Sequence, residues 1–355
     1  MMRINKHYLP ADPIDFGSIK HVVIFQQKNL GDALLITPVI KVLQRLSPSI
    51  KIVLITSKGG HSIFGNFPCV EKVLEVGKLG VTGFLKIKRD LRAVDLFLDF
   101  HVSSRSQFLG LLLGAKVSCG LASIRYKWWS KYTHHVPFKN DLIRHQAEKN
   151  LDVLRRLGAL IEREDKKIRL DSLIEVGLDE AIRRRLPEKF IHLHPGTRWL
   201  FKTLPLSTWN QVISYLKEKT QLPVVLTGGD QGIEGEFCSE ISDCNDVISL
   251  VGCTSLNDLS FISTMASFYV GIDTFTSHIA SASGVPGIVF FGPSDHRVWG
   301  PWGIDVATDV VRDGRACSPC NTDGCGGGKV SDCLNDLSLN LITQKIDQLL
   351  EKVCL

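Results

Sequence analysis

Three stretches of this sequence hold residue types suited to an anionic ligand. Gly271-Ile-Asp273-Thr274-Phe-Thr276-Ser277-His278 joins an apolar run to a helical pattern. Thr274, Thr276 and Ser277 offer hydroxyls there, and the free N–H groups of a helix start attract a diphosphate. Asp273 would fix the loop or orient His278. His194-Pro-Gly-Thr197 leads through Arg198 to Lys202, a plausible anion cradle after another apolar run. If a diphosphate departs without a metal, cations, hydroxyls and backbone N–H groups must meet its charge. Thr227-Gly228-Gly229-Asp230 precedes Glu234 and Glu236. Glycines there let backbone approach a ligand, and a carboxylate could accept hydrogen bonds from ribose hydroxyls. Each stretch also has a plainer reading: a satisfied strand-end histidine, solvent-facing cations, or a tight turn with helix-capping acids. Three such loops in one half of the chain favour a ligand.

Gly31-Asp32, followed by Thr37-Pro38, lies between an apolar run and its helix. A lone glycine is not a dinucleotide-binding fingerprint. Asp32 could cap the helix or act as a general base; position alone favours the cap. No Asp-x-Asp pair occurs in the chain, which favours a diphosphate site without a metal. Cys317, Cys320, Cys325 and Cys333 cluster around a Gly-rich stretch. A structural metal site, disulfides, or reduced thiols all fit their spacing.

These loops need elements to hold them. His21–Gln26, Lys51–Thr56, Lys72–Val76 and Asp95–Asp99 read as strands, with Ala33–Leu46 a helix stopped by Pro48. A polar stretch, Glu162–Asp171, reads as a linker. The alternation then restarts, with strands at Phe190–His194, Pro223–Thr227, Phe268–Ile272 and Gly287–Phe291. Helices are expected at Ser207–Lys219, Gly232–Ser242, Asp258–Met265 and Leu339–Val353. Strand–helix alternation implies parallel sheets. The expected architecture is α/β: two doubly wound, Rossmann-like domains facing a central cleft, over residues 1–170 and 171–355.

The chain has 355 residues, 44% of them hydrophobic, enough for two ordinary cores. No apolar run is long enough for a membrane span, and the first twenty residues lack a signal-peptide core. Both point to a cytoplasmic protein. Cys69, Cys119, Cys238, Cys244, Cys253 and, near the end, Cys354 read as buried small residues. The net charge of +5 is uneven: residues 1–170 carry 28 Lys+Arg against 14 Asp+Glu. A basic front half suits nucleic acid, a membrane surface or a phosphorylated substrate. No recognised nucleic-acid motif accompanies it.

Together these residues resemble glycosyltransferase family 9, the ADP-heptose:lipopolysaccharide heptosyltransferases, over nearly the whole chain from about Val22 to Leu334. The matching pieces are Gly31-Asp32…Thr37-Pro38, His194-Pro195…Lys202, Gly228-Gly229, Asp273-Thr274…Ser277-His278 and Phe291-Gly292-Pro293. Arg198-Trp199…Lys202 and Trp299-Gly-Pro-Trp302-Gly, followed by the four-Cys segment, are similar to the heptosyltransferase III branch. The resemblance implies a GT-B fold and an inverting, metal-independent transfer of heptose from ADP-heptose onto lipopolysaccharide inner core, with no cofactor. It implies that Asp32 is the base. Thr197, Lys202, Glu234, Asp273, Thr274, Ser277 and His278 would hold the donor, with Glu236 the alternative to Glu234. The N-terminal domain would receive the acceptor through cations such as Arg105, Arg125 and Lys127, peripherally at the cytoplasmic membrane face. Phe275 departs from the family, which commonly has Gly there. A related transferase with another sugar or acceptor, and a non-catalytic nucleotide- or nucleic-acid-binding protein, are the competing readings.

Overall fold

Runs such as His21–Gln26 and Lys51–Thr56 are apolar almost throughout because helices cover both faces of their sheet; five of six residues in each are buried. The structure is a computed structural model that describes residues 13–77, 81–91, 93–101, 103–121, 132–136, 143–303 and 307–353. Its contacts divide the chain into two units, Met1–Ser172 and Leu173–Leu355.

The first unit is built on β1 (His21–Gln26), β2 (Lys51–Thr56), β3 (Val70–Glu75), β4 (Leu96–Asp99), β5 (Val117–Leu121) and β6 (His134–Val136). The second is built on β7 (Ile191–His194), β8 (Val224–Leu226), β9 (Ile248–Ser249), β10 (Phe268–Ile272), β11 (Gly287–Phe290) and β12 (Thr308–Val311). The sheet orders are β3-β2-β1-β4-β5-β6 and β12-β11-β10-β7-β8-β9. Every neighbouring pair is parallel. Both sheets thus reverse direction of growth once, between β1 and β4 and between β7 and β10. Such switch points open the crevice where doubly wound sheets bind ligands. Asp32 follows β1, Pro195–Lys202 follows β7, and Asp273–His278 follows β10.

Alternation along the strands feeds two cores in the second unit. Phe268, Val270 and Ile272 of β10 face one side with Trp209, Ile213 and Leu349. Tyr269 faces the other with Phe190, Ala280 and Val289. The Leu339–Val353 helix lays Ile342, Ile346 and Leu350 on the first of these cores.

Two local readings change. The helix expected at Ala33–Leu46 is two helices, Leu30–Leu34 and Thr37–Leu46. Pro38 supplies no N–H, and the Thr37 hydroxyl donates to the Leu34 carbonyl at 2.9 Å, closing the first helix. The stretch Glu162–Asp171 is not a free linker. Asp165 is buried and takes Arg45 at 2.6 Å, and the Arg169 N–H donates to Thr37 Oγ1 at 3.0 Å. Its charges are the partners of the Thr37–Leu46 helix, which composition alone cannot show.

Asp95 pins the head of β1. Its Oδ2 accepts the Lys20 and His21 N–H groups at 3.1 and 3.0 Å, and its Oδ1 meets Lys116 Nζ at 2.7 Å. The Lys116 ammonium, with those N–H groups and against the cost of burial, holds the carboxyl down at about 2. A folded pKa below the unfolded one adds stability above the unfolded value and loses it as pH falls. Acid unfolding of the wild type should therefore draw on Asp95 between about pH 4 and 2. In Asp95→Asn, stability at pH 7 should fall and the slope across that window should flatten. Circular dichroism melts along a pH series would check this, and an unchanged slope would remove Asp95 from the account.

Candidate active site

Asp32 sits third in the Leu30–Leu34 helix, half-buried, in its first turn. Asn29, not Asp32, is the N-cap, so the capping reading is corrected: the carboxylate gains from the positive helix end without occupying the cap position.

In the second unit, the loop after β10 meets the loop after β7 through an ion pair. Lys202 Nζ lies 2.8 Å from Asp273 Oδ2. Thr274 is the N-cap of the Phe275–Ala282 helix but its hydroxyl does not cap. It points to Thr276 Oγ1 at 2.9 Å instead, while Ser277 Oγ donates to the Thr274 carbonyl at 2.7 Å. The helix start is therefore left without a side-chain cap, as a site for an anion requires. Phe275 is the first residue of that helix, half-buried, and contributes backbone there. His278 is buried with Nδ1 unpartnered. Burial pushes its pKa down, opposed by Asp273 and assisted by Lys202, so the ring is neutral at pH 7.

The loop after β7 is tied to the core by Thr203. Thr203 Oγ1 donates to the Pro195 carbonyl at 3.0 Å and accepts the Trp209 indole N–H at 2.9 Å, closing the loop on the core. Thr197 is buried inside it and accepts the Trp199 N–H at 3.2 Å. Arg198 is exposed. Glu234 stands at the junction with the β8 loop: Oε1 accepts the Gly229 N–H at 3.1 Å. A Cβ on Gly196 would come within 2.8 Å of the same oxygen and 3.0 Å of Cys238 Sγ, so a larger residue there would displace the Glu234 carboxylate. Glu236 is exposed, on the outside of the helix. Geometry thus favours Glu234 of the two acids.

The structure brings Thr197, Lys202, Glu234, Asp273, Thr274, Ser277 and His278 into one unit, at the carboxyl ends of β7, β8 and β10. Arg105 is exposed in the first turn of the Ser104–Leu113 helix of the other unit. Arg125 and Lys127 lie outside the described residues. Beneath the loops runs a buried layer of His192, His194, Thr227, Ser263 and Tyr269; the sequence reading singled out His194 and Thr227 and missed the other three. The signal was His192-Leu-His194 on a strand, which puts both rings on one face.

Cys317, Cys320 and Cys325 are exposed and Cys333 is buried, all as free thiols. Among the described residues no three His, Cys, Asp or Glu side chains are arranged to hold a metal ion. Cys320 Sγ meets Thr322 Oγ1 at 3.0 Å, and Cys325 Sγ accepts the Asp332 N–H at 3.4 Å, while burial and the neighbouring Cys325, Cys320 and Cys317 push the Cys333 thiol up to about 11. The segment reaches the β7 loop through Lys329, which lies 5.3 Å from the ring centres of both Trp199 and Phe201. Of the scattered cysteines, Cys69, Cys119 and Cys238 are buried as expected, but Cys244 and Cys253 are exposed, and Cys354 lies outside the described residues.

The family model described as glycosyltransferase family 9 (heptosyltransferase) matches residues 84–330. The chain belongs to glycosyltransferase family 9. It is 26% identical over 296 residues to lipopolysaccharide heptosyltransferase 3 of Escherichia coli K12, covering 77% of this chain and 82% of that one. A family 9 glycosyl transferase from Veillonella parvula superposes with a TM-score of 0.73 at 18% identity, covering 96% and 98% of the two chains. Escherichia coli heptosyltransferase WaaC with ADP gives 0.69 at 19% identity, covering 93% and 99%. This family 9 chain is thus a glycosyltransferase with a GT-B fold. Among the described residues, no helix is long and apolar enough to cross a membrane.

Proposed function

We propose that this family 9 enzyme is an inverting, metal-independent heptosyltransferase of the III-like branch. It would move heptose from ADP-heptose onto the inner core of lipopolysaccharide, without a cofactor. The observation that carries the reading is the uncapped start of the Phe275–Ala282 helix, beside Asp273 held by Lys202. Helix N–H groups, hydroxyls and one ammonium can meet the charge of a departing diphosphate. Asp273, Thr274, Ser277 and His278 hold the donor phosphates and sugar with Thr197 and Lys202, and Glu234 takes the ribose. The Asp32 carboxylate removes the acceptor hydroxyl proton as that oxygen attacks the anomeric carbon. The bond to the diphosphate oxygen breaks on the opposite face, and its electron pair leaves with ADP, inverting the centre.

The relative named heptosyltransferase 3, the Arg198–Lys202 segment and the four-Cys segment support the branch. Arg105 supports acceptor binding. A cation in the first turn costs a helix about 0.3–1 kcal/mol, so helix stability does not explain it. Arg125 and Lys127 belong to the same proposed surface. Leu85, Phe108 and Leu111 are exposed near Lys86, Lys88, Arg89 and Arg105, a mixture that suits peripheral contact with an anionic membrane.

ADP release from ADP-heptose, with a panel of truncated core acceptors, tests the reading. Release that depends on one truncation is expected, and added chelator should leave it unchanged. Tight donor binding without release for any acceptor would move the enzyme to another acceptor. Neither binding nor release would move it to another sugar donor.

A further inference from the structure

We infer that His194 is a further donor-contacting residue: Thr227 holds its ring so that Nε2 accepts a hydrogen bond from a hydroxyl of the sugar nucleotide. This rests on the donor reading above and adds to it a residue and a direction of hydrogen bonding.

The argument follows one chain of protons. Ser263 Oγ donates to the Leu259 carbonyl at 2.8 Å and lies 3.2 Å from His192 Nδ1. With its single proton on the carbonyl, Ser263 can only accept, so His192 carries its proton on Nδ1. His192 Nε2 then bears a lone pair, 2.7 Å from Thr227 Oγ1, and Thr227 donates to it. Having spent its one proton, Thr227 Oγ1 accepts from His194 Nδ1–H at 2.8 Å. Both rings are neutral at pH 7: burial pushes His192 well down and His194 to about 4. A neutral ring protonated on Nδ1 has a bare lone pair on Nε2.

That lone pair has no protein partner among the described residues, and His194 keeps 7% of its surface exposed. His194, three residues ahead of Thr197, closes β7 in register with Gly271 of β10, which is two residues ahead of Asp273. It therefore lies at the switch point of the sheet, among the donor loops. Phosphate oxygens only accept, so the lone pair excludes them and leaves ribose or sugar hydroxyls. If Ser263 turned its proton to His192 instead, every bond in the chain would reverse, and His194 would present N–H to phosphate. The shorter bond to Leu259 selects the first arrangement.

Two measurements on the full chain test this. Histidine ¹⁵N spectra, assigned with His194→Gln, should show His194 as the Nδ1–H tautomer, with the Nε2 signal shifting on addition of ADP-heptose. His194→Ala and His194→Asn should raise the donor KM about five- to tenfold with little change in kcat. His194→Gln, whose amide oxygen reaches toward the Nε2 position, should fall within about threefold of wild type. A purely structural role would reverse that order, because Asn keeps the Thr227 contact and Gln loses it. An Nε2–H tautomer, or donor KM values within twofold for Ala and Asn, would overturn the inference alone. Failure of the wild type to bind ADP-heptose would overturn the donor reading and this inference together.

Discussion

Asp32→Asn should lower turnover by roughly 10²–10⁴-fold while ADP affinity stays within about twofold. The side chains are nearly equal in size, so the half-buried site beside β1 keeps its packing. What is lost is basicity: an amide cannot take the proton of an attacking hydroxyl. The lost charge–dipole attraction in the first turn of Leu30–Leu34 costs only about 0.3–1 kcal/mol, too little to unfold the first unit. The residues proposed to bind the donor belong to the other unit, which is why ADP binding should survive. Steady-state ADP release and titration calorimetry with ADP read the two quantities separately. A variant retaining a tenth or more of wild-type turnover would remove Asp32 from the role of base.

Gly271→Ala should cost the second unit about 1–3 kcal/mol and depress sugar transfer with it. A Cβ at this position would stand 2.2 Å from Tyr269 Oη and 2.6 Å from its Cζ. The tyrosine cannot retreat, since it is fully buried and packs on His192 at 5.4 Å between ring centres. Its hydroxyl fills the notch that glycine leaves, close to the Asp273–Thr276 loop. Burial drives its pKa up against the nearby hydroxyls of Thr276 and Thr274, but neither makes a hydrogen bond of good geometry to it. Removing that oxygen is therefore cheap, and Tyr269→Phe alone should be close to neutral. In the double variant Gly271→Ala/Tyr269→Phe the phenyl edge still crowds the new methyl, so recovery should be partial. Melting temperatures should fall by about 2–12 °C in the single variant and recover in part in the double. No recovery would mean that the clash is with backbone rather than with the tyrosine hydroxyl.

Much of the fold was legible because its signals are local. Buried strands such as β1, β2 and β10 are apolar runs of the right length, and Leu339–Val353 carries its helical period openly. The loops proposed to carry donor chemistry were legible for a related reason: glycine, hydroxyl and charged residues stand directly after those runs. β5, β6, β9 and β12 were passed over. They hold two to five residues each, and β5 and β9 include half-buried positions. Short, partly covered strands do not need the apolar run that marks a central one.

The sequence by itself determined that two parallel sheets alternate with helices and that ligand-type loops follow β1, β7, β8 and β10. Those properties depend on neighbours a few residues apart. Only the tertiary structure decided that Glu162–Asp171 is bound to the Thr37–Leu46 helix, and that Glu234 rather than Glu236 reaches the β7 and β8 loops. It also decided that Ser263, His192, Thr227 and His194 form one proton chain. Apart from the Glu234 bond to Gly229, five residues away, these are contacts between residues far apart in the chain. Burial makes such pairing obligatory for polar groups, yet which partner each one meets is set by the packing of strands and helices, and no local pattern records it.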